Sequence, residues 1–220
     1  MRAVDLFHPF VLPFAEGCSS PMASQAILSA CIEFSSTTQL VQRTFADDVV
    51  AGWQDYDVET PSQMTLVRVL RVFYKDSLLT AAPLHAVSPG TAVQGAAIGD
   101  VDMHRAAAPA AYFMRDPAAS EYSLYPVPTV SVTNGLTVRA AFAPTRTASQ
   151  VDDVLFEDYA EQIAHGALGR LLAMPAQPFT DAKTAVRHLA AFRSAMASAM
   201  TLARTGQLVA SSRVAPVRFN

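Results

Sequence analysis

The chain predicts an α+β fold: a small helical bundle made of an N-terminal helix and a C-terminal helical hairpin, a β-rich insertion, and an extended C-terminal arm. Three observations carry that expectation. Apolar residues recur every three or four positions near both ends of the chain, the middle is rich in β-branched and aromatic residues, and prolines bracket a turn at Pro175-Ala176-Gln177-Pro178-Phe179. The bundle is assigned to residues 1–45 and 148–206, the insertion to 46–147 and the arm to 207–220.

The segment Phe7-His8-Pro9-Phe10-Val11-Leu12-Pro13-Phe14 is expected to be extended, because a residue that precedes proline avoids the helical region. A turn then leads into a helix with Ser20 as its cap and Pro21 in its first position. Along PMASQAILSACIEFSSTTQLVQRTF one face collects Ile27, Cys31, Phe34, Thr38, Val41 and Phe45. The run Ser35-Ser36-Thr37-Thr38 lowers helix propensity, so packing must hold that part.

Residues 47–53 and 64–74 read as strands, and Lys75-Asp76-Ser77 as a turn. Further short strands are expected at 111–115, 129–133 and 136–143, with Asn134-Gly135 as a hairpin turn between the last two. Residues 81–109, full of Ala, Pro and Gly, read as a long loop. Two helices follow. In VDDVLFEDYAEQIAHGALGRLLAM, Asp152, Asp153, Glu157 and Asp158 crowd the positive end of the helix dipole. In TDAKTAVRHLAAFRSAMASAMTLARTG, Thr180 or Asp181 caps the start and Gly206 ends the helix. There Ala185, Leu189, Phe192, Met196, Ala199 and Ala203 form one apolar stripe. Ile27, Phe34, Tyr159, Ile163, Leu189, Phe192 and Met196 are the expected bundle-packing residues.

Composition narrows the function. The chain is 51% hydrophobic and only 16% charged, and no run approaches the ~20 apolar residues that span a bilayer, so surplus apolar surface is expected to end in subunit contacts. Prolines interrupt the first residues, which do not form a secretory signal, and cytoplasmic synthesis is expected. The net charge of −3 hides an asymmetry: six of the sixteen Lys and Arg lie after Asp181, so residues 1–181 hold ten against all nineteen acids, a formal −9. A cationic end on an anionic body suits head-to-tail subunit contacts or an acidic partner; complementing a helix C-terminus is the plainer reading. Cys18 and Cys31 do not make a disulfide framework, and Cys31 reads as a small buried hydrophobe.

Catalytic and cofactor signals are weak. His8, His85, His104, His165 and His188 are scattered; His165 and His188 can meet across the helical hairpin, but a structural zinc generally needs four ligands. The carboxylates at 152, 153, 157, 158 and 161 could pair for hydrolysis, yet their place at a helix N-terminus accounts for them as dipole complementation. Asp100-Val101-Asp102 with His104 is too short for a metal site. No Gly-x-Ser-x-Gly, Gly-x-Gly-x-x-Gly or Walker sequence occurs, and Trp53, Tyr122 and Tyr125 are not interleaved with basic residues as nucleic-acid stacking would require. No catalytic residue, metal or cofactor is expected.

Three stretches carry a likeness: FHPFVLPFAEGCSSPMASQAILSACIEFSSTT, MTLVRVLRVFYKDSLL, and LTVRAAFAPTRTASQVDDVLFEDYAEQIAHGALGRLLAMPAQPFTDAKTAVRHLAAFRSAM. Their order and spacing resemble the head–tail adaptor (connector) proteins of tailed bacteriophages, the group that includes tail tubular protein A-like adaptors. The resemblance leaves out residues 81–122 and the final tail. It implies a virion protein without enzymatic activity: a ring of copies, expected to be a dodecamer, bound beneath the portal protein. Such a ring presents a platform to the tail or nozzle protein and lets genomic DNA pass through its lumen. It also implies that the C-terminal arm docks on the portal. The tail's own residues suit ordering on a partner by strand addition, with Leu208, Val209, Val214, Val217 and Phe219 as apolar anchors and Arg213 and Arg218 as cations, and a frayed terminus is the plainer reading. Two other classes stand beside it: a nucleic-acid-binding module using the basic C-terminal segment, and a small hydrolase using the 152–161 carboxylates.

Overall fold

A computed structural model describes residues 1–82, 91–93, 96–98, 105–114 and 120–205. The chain is a mixed α+β protein, with five α-helices and several sheets among the described residues. In order it runs β1 (Arg2–Ala3), α1 (His8–Val11), α2 (Ser20–Thr38), β2 (Gln42–Val49), β3 (Asp55–Asp57), β4 (Met64–Tyr74), β5 (Ser77–Leu78), β6 (Thr80–Ala81), β7 (Thr91–Val93), β8 (Ala96–Ile98), β9 (Arg105–Ala106), β10 (Ala111–Met114), β11 (Glu121–Tyr125), β12 (Val127–Pro128), β13 (Val132–Pro144), β14 (Gln150–Val151), α3 (Asp153–Glu157), α4 (Ala160–Leu171) and α5 (Ala182–Thr205).

The first stretch is helical where an extended segment was expected. Two 3-10 turns, Val4–Phe7 and Leu12–Phe14, flank α1. Both prolines fall in first-turn positions, where a missing N–H costs nothing, and Phe7 and Val11 are fully buried. Helix α2 starts at Ser20, so its N-cap is Ser19, one residue before the expected cap, and it ends at Thr38, where Gln39 takes the left-handed conformation (φ 55°). Val41 and Phe45 therefore leave the helix face: Val41 is buried beyond its end and Phe45 lies in β2.

The main sheet is antiparallel, in the order β2-β13-β4-β5. Strand β4 has the bounds read from its β-branched run. Its two-residue connection to β5 is Lys75-Asp76, both at positive φ (44° and 66°), with Tyr74 opposite Ser77. That is the tight hairpin. Asn134-Gly135, expected to be one, instead lies inside the single strand β13, where the register against β2 shifts between Val132 and Leu136. Asn134 there has φ 50°, and its N–H donates to Asp48 Oδ1 at 2.6 Å. A Cβ on Gly135 would sit 2.9 Å from Val132 and Val49 side-chain atoms, so the bulge admits only glycine. A second sheet, β3-β11-β10-β6, is antiparallel except for the parallel β10–β6 pair.

The expected first hairpin helix is two pieces, α3 and α4, broken at Asp158 and Tyr159. The proline-bounded turn holds: Ala176 takes φ 57°, and Thr180 Oγ1 donates to the Met174 carbonyl at 2.6 Å. Asp181 caps α5, accepting from the N–H groups of Lys183 and Thr184. Gly206 lies outside the described residues.

Helices α2, α4 and α5 pack on one another, and α2 also lies against β13. One buried cluster accordingly runs from Ile27, Phe34, Ile163 and Phe192 on the helices to Val72, Leu136 and Phe142 on the sheet. A smaller cluster joins Ala82, Ala111, Phe113 and Tyr125.

Candidate functional site

The helical face holds most of the residues singled out by sequence. Ile27, Phe34 and Ile163 are fully buried, Phe192 and Met196 nearly so, and Tyr159 and Leu189 partly. The Phe34 ring lies 4.9 Å from that of Tyr159 and 6.0 Å from that of Phe192, so α2, α5 and the residue that leads into α4 meet here. Two glycines let α4 approach. A Cβ on Gly166 would come within 2.8 Å of the Phe192 ring and 3.0 Å of Ala30, and one on Gly169 within 2.6 Å of Leu189. Arg170 completes the junction: it donates to the Gly166 carbonyl at 2.6 Å, pairs with Glu33 of α2, and stands 5.6 Å from the Phe192 ring centre. The Arg170–Glu33 pair was not legible from spacing, because its members are far apart in sequence.

The carboxylates divide into two sets. Asp152 is 3% exposed, accepts from the Val154 N–H and pairs with Arg43. Asp153 binds the N-terminal ammonium at 2.8 Å, and that hydrogen bond holds its carboxyl below the ordinary carboxylate range. Glu157 meets Arg2 at 2.5 Å. These three are neutralised by cap and cation. Asp158 and Glu161, without such partners among the described residues, line an open cleft together with Glu157, Phe10 and Phe156. Glu161 and Phe10 continue into a second cleft of about 300 Å³, walled by Phe14, Leu168, His165 and His188.

The two histidines of the hairpin do meet, with Nδ1 atoms 2.7 Å apart. At that distance one nitrogen donates and the other accepts, so the contact requires at least one unprotonated ring. Burial first, and His165 second, lower the His188 pKa from its ordinary 6.5. The unfolded chain therefore takes up the proton before the folded one. The contribution is fully present above pH 6.5 and is lost as the pH falls below it. Besides His165, the titratable group lining this cleft is Glu161. We expect the denaturant midpoint to fall between about pH 7.5 and about pH 5.5, and the fall to be smaller in His188→Gln. Equal falls in both proteins would remove His188 as the cause.

Among the described residues no group of three His, Cys, Asp or Glu gathers as a metal site would need. Cys18 and Cys31 are both free, and burial pushes the Cys31 thiol up to about 12. Tyr122 and Tyr125 are buried, Tyr122 stacked on Tyr56, whereas Trp53 is 64% exposed. His85, His104, Asp100, Asp102 and the arm residues Leu208, Val209, Arg213, Val214, Val217, Arg218 and Phe219 lie outside the described residues. No described helix is long and apolar enough to cross a membrane.

The glycine-mediated helix junction and the capped, ion-paired carboxylates account for most of the residues singled out by sequence through packing and charge pairing within the chain. Residues 33–218 match the SU10 adaptor protein family, and the chain belongs to that family. It is a phage structural adaptor, a virion component that assembles with other virion proteins. No curated protein matches it.

Proposed function

We propose that the chain is a head-to-tail adaptor of the tail tubular protein A-like kind, forming a ring of copies, a dodecamer, between the portal protein and the tail or nozzle protein. The match of residues 33–218 to an adaptor family is the observation that carries this reading. Its mechanism is mechanical. Weak contacts multiplied by ring symmetry, together with many identical arms docking at once, close the capsid exit and create the tail-binding surface. The helical part, 1–45 with 148–206, faces the portal, the part 46–147 faces the tail, and the arm 207–220 engages the portal. DNA passes through the lumen without sequence-specific binding, because phosphate binding needs concentrated Lys and Arg while residues 1–181 carry a formal −9.

Mixing the purified chain with portal rings and imaging the product by electron microscopy tests the reading. A ring of this chain seated on the portal is the expected image. Deleting residues 207–220 is expected to leave a folded protein, judged by circular dichroism, that no longer joins the portal. Undiminished joining would show that the arm has no docking role.

A further inference from the structure

Two clefts adjoin on the face made by α1 and α4, with Phe10 and Glu161 lining both and His188 of α5 closing one of them; together they are taken as one groove. Its floor is apolar: Phe10 packs edge-on against Phe156 at 6.4 Å, and Phe14, 65% exposed, stands at the rim. The groove wall carries Glu157, Asp158 and Glu161, of which Glu157 is held by Arg2. Asp158 and Glu161 have no ion-pair partner among the described residues, in contrast to Asp152, Asp153 and Glu157 beside them. A solvent-facing apolar cleft with unneutralised carboxylates along one side selects a ligand that is apolar and cationic at once.

The chain contains such a segment. After Asp181 it has no acidic residue, and its last stretch, Val214-Ala215-Pro216-Val217-Arg218-Phe219, places an aromatic ring next to a guanidinium. We infer that this groove is the seat of the chain's own C-terminal segment, with Phe219 in the apolar cleft between Phe10 and the histidine pair and Arg218 against Glu161 and Asp158. Reach permits it. The run back along α5 from Thr205 to His188 is about 26 Å at helical rise, and the extended chain from Thr205 to Phe219 spans about 46 Å. An aromatic ring entering a preformed cleft supplies the affinity, and the arginine sets the orientation. The inference stands without the portal reading and adds to it a resting place for the arm before a portal is met.

The test uses the full chain with p-benzoylphenylalanine in place of Phe219, irradiated in the absence of portal, with the crosslinked peptides mapped by mass spectrometry. Crosslinks are expected to concentrate on residues 10–14 and 164–168. Glu161→Lys should lower their yield about fivefold, the scale of one exposed ion pair lost and reversed. The double variant Glu161→Lys with Arg218→Glu should restore it, and circular dichroism reports that each variant is folded. Crosslinks spread over the surface, or mapped elsewhere, would overturn the assignment. So would a yield indifferent to the charge at Glu161. Because no portal is present, neither result bears on whether the arm joins a portal.

Discussion

Phe192→Asp is expected to leave the chain unfolded at room temperature. The ring is 1% exposed and touches Phe34, Arg170 and the space above Gly166. Truncating a buried Phe costs about 3–5 kcal/mol through lost burial and the cavity left behind. A carboxylate in that cavity adds a desolvation cost of several kcal/mol unless it is neutralised. Arg170 lies near, but Glu33 already pairs with it. The sum rivals the ~5–15 kcal/mol that separates folded from unfolded domains. Far-ultraviolet circular dichroism with a urea titration checks it, and Phe192→Leu, which keeps an apolar side chain, should remain folded with a lowered midpoint. A cooperative transition for Phe192→Asp at the unaltered midpoint would place this ring outside the core.

The second large effect is expected at Gly166. In a helix interior, glycine is ordinarily the weaker choice, and replacing it by alanine gains about 1 kcal/mol. Here the added Cβ meets the Phe192 ring at 2.8 Å and Ala30 at 3.0 Å, on two different helices. Both neighbours are buried, so neither can swing into solvent. Overpacking of this kind costs about 1–3 kcal/mol, enough to cancel or exceed the propensity gain. Gly166→Val, which adds two methyl groups and β-branching, should destabilise by about 3 kcal/mol or more, because α4 must move away from both α2 and α5. Urea unfolding of Gly166→Ala and Gly166→Val measures the difference. Stabilisation by valine would mean that the three helices do not approach as closely as described.

The contrast between residues 64–74 and residues 132–144 shows what kind of information the chain carries. The run MTLVRVLRVFY is β-branched and aromatic throughout, and β4 occupies those positions. Asn134-Gly135 has the composition of a hairpin turn, yet it forms a bulge, because Asp48 and Val49 of β2 and Lys75 of the adjoining turn hold both sides of it. Local composition described a backbone capable of φ > 0, and the neighbouring strand decided the use made of it. The N-terminal prolines tell the same story. A residue before proline disfavours the helical region, but burying Phe7 and Val11 outweighs that preference, since each apolar side chain withdrawn from water contributes about 1.5–3 kcal/mol.

The candidate groove was only partly legible. His165 and His188 were read as able to meet across the helical hairpin, and the packing of α4 on α5 brings them together. That Phe10 and Phe14 would complete the same cleft was not legible, since a segment expected to be extended turned helical and packed on α4. The carboxylates at 152–161 read as one acidic cluster. The fold separated them by bringing Met1, Arg2 and Arg43 to some and not to others.

By itself the amino-acid sequence determined the α5 stripe, the β4 strand, the proline-bounded turn and the asymmetry of charge. Each depends on residues within one or two turns of one another, where periodicity and backbone preference act directly. Only the tertiary structure decided the bulge in β13, the Arg170–Glu33 pair, the glycine contacts and the division of the acidic residues. Those depend on atoms brought together from distant parts of the chain, and the energy of a contact or an ion pair falls off within a few ångströms, a separation that sequence spacing does not encode.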